Sequence, residues 1–355
     1  MKKGTGNREQ GTGNRNWGIL LLLLLLLGCA RFQTAPSYEL VVEPLAEEYL
    51  IEELIEEIVE IRVAEPRFVI IPTNARPGEP VTIGFSYNFG SIQRDFQAVL
   101  MDHRNRRIAR ASFFETSWRA GEQEVLVAVM AVPSTALIGE AFISVESSGN
   151  IIQEIPFRIN HREFRSETIA LDQSNTALRT TPDPRRTHEA QQLWAILNRT
   201  GREIFHFGPF ERPVTSTRRT SIFGSRRVFE YVDGTSDTAI HAGVDYGVPT
   251  GTEVRASGVG RVVLARNRLI TGNSVILEHL PGLYSLYYHL DSIAVSEGSI
   301  VDAGTLLGRS GATGLATGPH LHWEIRVSGE NADPDAFLSR PILDKNTIID
   351  KLTAY

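Results

Sequence analysis

The chain has 355 residues, 42% hydrophobic and 22% charged, which is the balance of a soluble globular protein too long for one ordinary core, so two domains plus connections are expected. A net charge of −6, with no basic stripe carrying interleaved aromatics, excludes nucleic acid as a partner class. A single cysteine excludes an internal disulfide, so the fold stands on its core alone.

The first segment reads as a targeting signal rather than fold. Lys2, Lys3, Arg8 and Arg15 precede an apolar run from Trp17 to Leu27 that contains eight consecutive leucines. A membrane-spanning helix needs about 20 apolar residues, so residues 1–28 are expected to be a signal peptide. The run ends Leu26-Leu27-Gly28-Cys29, which resembles the lipobox of bacterial lipoproteins. That resemblance implies a lipid on Cys29 and a lipid-anchored membrane lipoprotein of the cell envelope, facing the periplasm or exterior. The alternative is an ordinary signal peptide with a chance cysteine.

Residues 29–66 are acidic: from Glu39 to Glu65 ten glutamates stand against one arginine, Arg62. Leu50, Ile51, Leu54, Ile55 and Ile58 recur at helical spacing, with Glu52, Glu53, Glu56, Glu57 and Glu60 opposite. The segment reads as an amphipathic helix that packs on a partner, or as a tether holding the chain off an anionic membrane surface. Like charges at i,i+4 weaken an isolated helix and favour the tether.

Residues 67–162 alternate. Seven runs, Phe68 to Ile71, Val81 to Tyr87, Phe96 to Met101, Ile108 to Phe114, Glu124 to Val132, Ala141 to Val145 and Ile151 to Ile159, are separated by turn-rich pieces. The spacing predicts a β-sandwich of immunoglobulin-like type, a spacer or binding module in which His103 and His161 are surface residues. Residues 163–204 read as a linker with one short helix: Thr181-Pro182-Asp183-Pro184 breaks the chain, Thr187 caps the helix, and Gly201 closes it. Glycine-punctuated strands then fill residues 205–340, and 341–355 form a C-terminal tail, helical near Asp344 to Leu352.

Five of the nine histidines lie between His241 and His322. In Gly318-Pro319-His320-Leu321-His322, two histidines one residue apart point to the same strand face, about 6.5 Å from each other, suited to one metal and its water. His241 and Asp245 offer the nitrogen and oxygen that zinc accepts. Gly243, Gly247 and Pro249 argue against a helix there, so this pair belongs on a strand or bulge. Tyr284 to Leu290 is a strand carrying His289, joined by a Pro281-Gly282 turn to Val275 to His279. His206 and His279 read as structural residues.

Together, His241-x-x-x-Asp245, Tyr288-His289-Leu290 and Gly318-Pro319-His320-Leu321-His322 resemble the three motifs of the LytM/lysostaphin-type zinc metallo-endopeptidases, peptidase family M23 of bacterial cell walls. Ser221 to Arg226, Gly251 to Ala256 and Gly298 to Gly308 match as well, and the likeness covers about Pro209 to Leu338. It implies an antiparallel-β peptidase domain with one zinc per chain, held by His241, Asp245 and His322. His289 and His320 are then the catalytic histidines, with the base and oxyanion roles undivided between them. The implied activity is hydrolysis of peptide cross-links or stem peptides of peptidoglycan. Implied partners are peptidoglycan peptides, the membrane through the lipid on Cys29, and another wall hydrolase or envelope protein. A non-catalytic LytM-domain regulator, binding the wall or activating another hydrolase, is the alternative. A biotinyl/lipoyl-like hammerhead over Gly251 to Gly308 leaves His289, His320 and His322 without a role. Specificity is expected from Arg226 to Ala239 and Asn267 to Asn273.

Overall fold

Period-2 alternation folds the first part of the described chain into two facing sheets. The computed structural model describes residues 66–87, 95–199 and 201–354; the leader, Cys29 and the acidic stretch to Glu65 lie outside them. Strands β1 (Arg67–Ile71), β2 (Asn74–Ala75) and β3 (Pro80–Tyr87) come first. β4 (Gln97–Asp102), β5 (Arg107–Ser112) and β6 (Phe114–Ala120) follow. β7 (Gln123–Ala131), β8 (Gly139–Ser147) and β9 (Asn150–Ile159) complete the set. One sheet is ordered β1-β3-β7-β6 and the other β2-β9-β8-β4-β5. Ile83 and Met130 of the first share an apolar core with Leu100, Ile143 and Phe157 of the second.

Among the described residues there are nine strands rather than about seven. The run read as Ile108 to Phe114 is two strands, because the chain changes sheets at Phe113. β6 carries its own alternation: Phe114, Trp118 and Ala120 are buried, while Glu115, Ser117 and Arg119 are exposed. His103 and His161 are exposed.

From Val125 to Ala131, β7 has no polar face. Leu126, Ala128 and Met130 face the sandwich interior, whereas Val125, Val127 and Val129 belong to a second cluster that reaches into the C-terminal sheet. Double burial accounts for its unbroken apolar run.

The expected linker is ordered. β10 (Ser166–Ala170) leads into α1 (Gln173–Thr180) and α2 (Pro184–Leu197). Asp172 caps α1 and Asp183 caps α2, with Pro184 as the first helical residue. The cap of α2 is thus Asp183, not Thr187, and Asn198 rather than Gly201 ends it. Proline supplies a preset φ at a position whose N–H needs no partner, so the apparent breaker starts the helix.

Next come β11 (Arg219–Ser221), β12 (Arg226–Glu230), β13 (Ser236–Ile240) and β14 (Gly243–Tyr246). β15 (Glu253–Arg255), β16 (Gly260–Arg268), β17 (Gly272–Leu280) and β18 (Leu283–Ile293) follow. The last are β19 (Ile300–Val301), β20 (Leu306–Ser310), β21 (Leu321–Val327) and β22 (Glu330–Ala332). A ten-stranded sheet is ordered β11-β14-β21-β18-β17-β16-β19, with β15, β20 and β22 off this path; β10, β12 and β13 make a separate sheet. The protein is therefore mainly β. A Cβ on Gly243 would lie 2.2 Å from the Trp323 carbonyl oxygen, so only glycine lets β14 approach β21. Among the described residues no helix is long and apolar enough to cross a membrane.

The segment read as a tail carries α3 (Lys345–Thr353), which packs on the sandwich. Ile348 and Leu352 join Val69 in one cluster, and both lie over Gly84, where a Cβ would be 2.9 Å from Ile348 Cγ2. Thr82 Oγ1 donates to the Ile342 carbonyl at 2.6 Å. Leu352 is fully buried, so Leu352→Ala is expected to cost about 3 kcal/mol through lost burial and a cavity. Urea denaturation checks this; a change below about 0.5 kcal/mol, the range of neutral surface substitutions, would show that α3 contributes nothing to the core.

Candidate functional site

Antiparallel pairing brings the donor residues together. Asp245 in β14 stands opposite His322 in β21, and Tyr288 in β18 stands opposite His322 on its other side. His241 enters from the connection between β13 and β14. Its Nε2 lies 3.1 Å from both Asp245 Oδ1 and His322 Nδ1, and His322 Nδ1 lies 2.8 Å from the same oxygen. All three side chains are buried, and among the described residues they are the one such group able to hold a metal ion.

The outer atoms fix which nitrogens turn inward. His241 Nδ1 donates to the Ile222 carbonyl at 2.8 Å, leaving Nε2 for the centre. His322 Nε2 faces Glu324 Oε2 at 3.4 Å, leaving Nδ1 for the centre. Asp245 Oδ2 accepts from Arg227 Nη2 at 2.6 Å. The Tyr288 ring stacks on His322, centroids 5.5 Å apart. Two imidazole nitrogens and one carboxylate oxygen on a common centre, each backed by an outer contact, suit a divalent metal with nitrogen and oxygen ligands.

Charges alternate through this cluster. Burial opposes ionisation of Asp245, but its close contacts with His241 and His322, the latter donating from Nδ1, outweigh it and hold the carboxyl well below its usual range. Burial pushes His241 down. Burial also opposes a charge on His322, yet hydrogen bonds to Asp245 and Glu324 prevail and raise it to about 9. Burial works against the Glu324 carboxylate too, but Arg326, paired with it, keeps it below its usual range.

His289 sits where β18 changes partners: Tyr288 pairs with β21, whereas Leu290 pairs with β20. Its φ is 60°, a left-handed conformation uncommon for any residue but glycine. His289 Nδ1 donates to the Thr313 carbonyl at 2.8 Å. Burial first, then the adjacent His320 and His322, push this histidine down to about 3. The His320 ring lies 4.8 Å from that of His289, with Nδ1 2.8 Å from the Gly318 carbonyl and Nε2 3.8 Å from Asp245 Oδ1.

The structure thus gathers His241, Asp245, His289, His320 and His322 around one cavity of about 270 Å³. His279 is elsewhere: it is fully buried, bonded to the Val259 carbonyl and Ser285 Oγ, and pushed down to about 3 by burial. Arg227, Phe229, Ala239, Ile270 and Thr271 line the cavity, from both stretches expected to set specificity. Ile169, Leu171 and Arg179 add a wall from β10, α1 and the turn between them, which sequence reasoning missed. It also missed Arg227 as the partner of Asp245; one of two adjacent arginines in a short strand carries no local signal of such a contact.

Fold and site together define a metallopeptidase domain. Residues 239–334, within this C-terminal sheet, match the model of peptidase family M23. Over 122 residues the chain is 43% identical to the peptidoglycan DD-endopeptidase ShyA of Vibrio cholerae, covering 34% of this chain and 28% of that protein. Over 95 residues it is 41% identical to the DD-carboxypeptidase/endopeptidase Mpg of Neisseria meningitidis, covering 27% of this chain and 22% of that protein. A zinc-containing peptidase structure from Vibrio cholerae aligns with 69% of this chain and 86% of its own, at 20% identity and a TM-score of 0.33. The chain spans less than a third of the length of these two curated relatives.

At neutral pH, Asp245 is ionised and His241 neutral, so only the proton on His322 must leave for all three donors to bind a metal. Affinity for a divalent metal should therefore rise about tenfold per pH unit below about 9 and level off above it. Calorimetry in buffers of different ionisation enthalpy should find about one proton released per metal; no release between pH 6 and 8 would contradict this charge assignment.

Proposed function

We propose that this chain is a zinc-dependent endopeptidase that hydrolyses peptide cross-links or stem peptides of peptidoglycan. The observation that carries the reading is the convergence of His241 Nε2, Asp245 Oδ1 and His322 Nδ1 beside a cavity that also holds His289 and His320. Relatives named as peptidoglycan DD-endopeptidase and DD-carboxypeptidase/endopeptidase support the substrate class. Zinc bound by the three donors would supply a Lewis acid that polarises the scissile carbonyl and acidifies water.

The two further histidines divide the remaining work by their surroundings. With Nδ1–H given to Thr313 and a charge opposed by burial, His289 offers a neutral Nε2 that accepts a hydrogen bond and orients the attacking water. His320 is less enclosed, and its Nε2 lies 3.8 Å from Asp245 Oδ1, on the cavity side of the cluster. Its Nε2 is placed to take the water's proton and deliver it to the departing amine nitrogen. Arg227 keeps Asp245 oriented through its hydrogen bond to Oδ2.

Incubating sacculi with the full chain, with and without a chelator, should release fragments bearing new amino termini within stems or bridges, read by mass spectrometry. His289→Ala is expected to keep zinc and lose at least 100-fold in hydrolysis, within the range that positioned acid–base groups contribute (about 10²–10⁴-fold). Normal digestion by that variant would remove its assigned role. No release by the metal-loaded chain would favour the non-catalytic regulator.

For the remaining segments we propose export and anchoring through a lipid on Cys29, supported by the apolar run that ends at Leu27-Gly28-Cys29. Mass spectrometry of the mature amino terminus should find a diacyl or triacyl cysteine; an unmodified terminus elsewhere would overturn it. The sheet orders β1-β3-β7-β6 and β2-β9-β8-β4-β5 support an immunoglobulin-like classification of the sandwich.

A further inference from the structure

We propose that Glu167, carried by β10 ahead of the family-matched residues, is a positioning residue for the metal site. The inference rests on the metal-binding reading above and extends it to a segment that the family match does not include.

β10 runs parallel to β12 and places Glu167 beside Arg227. Three side chains converge on its carboxylate. Ser221 Oγ lies 2.9 Å from Oε1 and 2.7 Å from Oε2, and Ser225 Oγ donates to Oε1 at 2.7 Å. Arg227 Nε stands 3.5 Å from Oε2, an ion-pair contact without hydrogen-bond alignment.

Each of these groups touches a candidate ligand. Ser221 Oγ is 3.1 Å from His241 Nδ1, and the Ser225 carbonyl accepts from the His241 backbone N–H at 2.9 Å. Arg227 Nη2 donates to Asp245 Oδ2 at 2.6 Å.

Two consequences follow from the chemistry. A hydroxyl has one proton; when Ser221 gives it to Glu167, only lone pairs remain to face His241 Nδ1–H. That keeps the His241 Nε2 lone pair turned inward. Glu167 also shares the Arg227 charge. Without it the guanidinium would draw on Asp245 alone and weaken that carboxylate as a ligand. The Glu167 side chain is 25% exposed, and Arg227 keeps its hydrogen bond to Asp245 when the Glu167 charge is removed. Its effect should therefore appear in metal affinity rather than in unfolding.

Glu167→Gln keeps the size and the acceptor oxygen for Ser221 but removes the charge. In the full chain, competition with a chromophoric chelator should show zinc held about tenfold or more weakly, the range found for outer partners of metal ligands. The cobalt(II) absorption spectrum should shift, while the melting temperature of the zinc-free form stays close to that of the wild type. In an Arg227→Gln background the same substitution should cost less than about threefold, because the charge it balances has gone. Equal zinc affinity for wild type and Glu167→Gln would overturn the inference and leave the metal site standing. An undiminished loss in the Arg227→Gln background would overturn it in favour of a purely architectural role. Failure of the wild-type chain to bind zinc would overturn both readings.

Discussion

Asp245 is a carboxylate almost removed from water, and the site depends on how its charge is balanced. An unpaired buried charge costs several kcal/mol even after the surroundings relax. Here Oδ1 faces two imidazoles and Oδ2 faces a guanidinium. Glu324 and Arg326 extend the alternation on the His322 side, and Glu167 closes it on the Arg227 side. Because β14, β18 and β21 are adjacent, this order is set by ladder register. Slipping β21 by one residue would turn His322 to the opposite face and put Trp323 in its place. In the proposed zinc-bound state, the metal takes over from the His322 proton as the charge that neutralises Asp245.

Sequence reasoning recovers the parts of the site that are encoded locally. His320 and His322 are legible because a two-residue period sets the face of a strand, and His241 with Asp245 because glycines around them exclude a helix. His289 is legible only as a member of a motif; nothing in Tyr288-His289-Leu290 announces a left-handed residue at a change of strand partner. Glu167 and Arg227 are silent because their importance comes from β10 pairing with β12, a non-local contact that no periodicity reports. The same limit explains why 163–204 read as a linker. α1 is short and polar, stabilised by its Asp172 cap and by Asn175 donating to the Ala316 carbonyl, rather than by an apolar stripe.

The sandwich was visible as alternation, but not what lies against its outer face. β7 is the exception that could have pointed there: after Gln123 and Glu124 it runs seven apolar residues, Val125 to Ala131, in a sheet where one face would ordinarily meet water. Its second face is covered by the cluster that contains Ala332, Ile342 and Leu343. Ser328 Oγ donates to the Val129 carbonyl, and the Asp333 amide to that of Gly78. The sandwich and the catalytic sheet are thus parts of one core, so the sandwich supports the position of β21 and β22 as well as any partner it binds.

The contact of α3 with β1 bears on the order in which the polypeptide acquires structure. Arg67 donates to the Leu352 carbonyl across 285 positions, a separation at which closing the loop is slow compared with forming local hairpins. While the polypeptide is being made, Val69 and the groove at Gly84 remain open until the whole peptidase sheet has been synthesised beyond them. The outer face of the β1-β3 sheet is therefore the part of the sandwich that waits for the C-terminal helix. That face is sealed only after α3 has been made, whereas the inner core of Ile83, Leu100, Met130, Ile143 and Phe157 draws on no residue of α3.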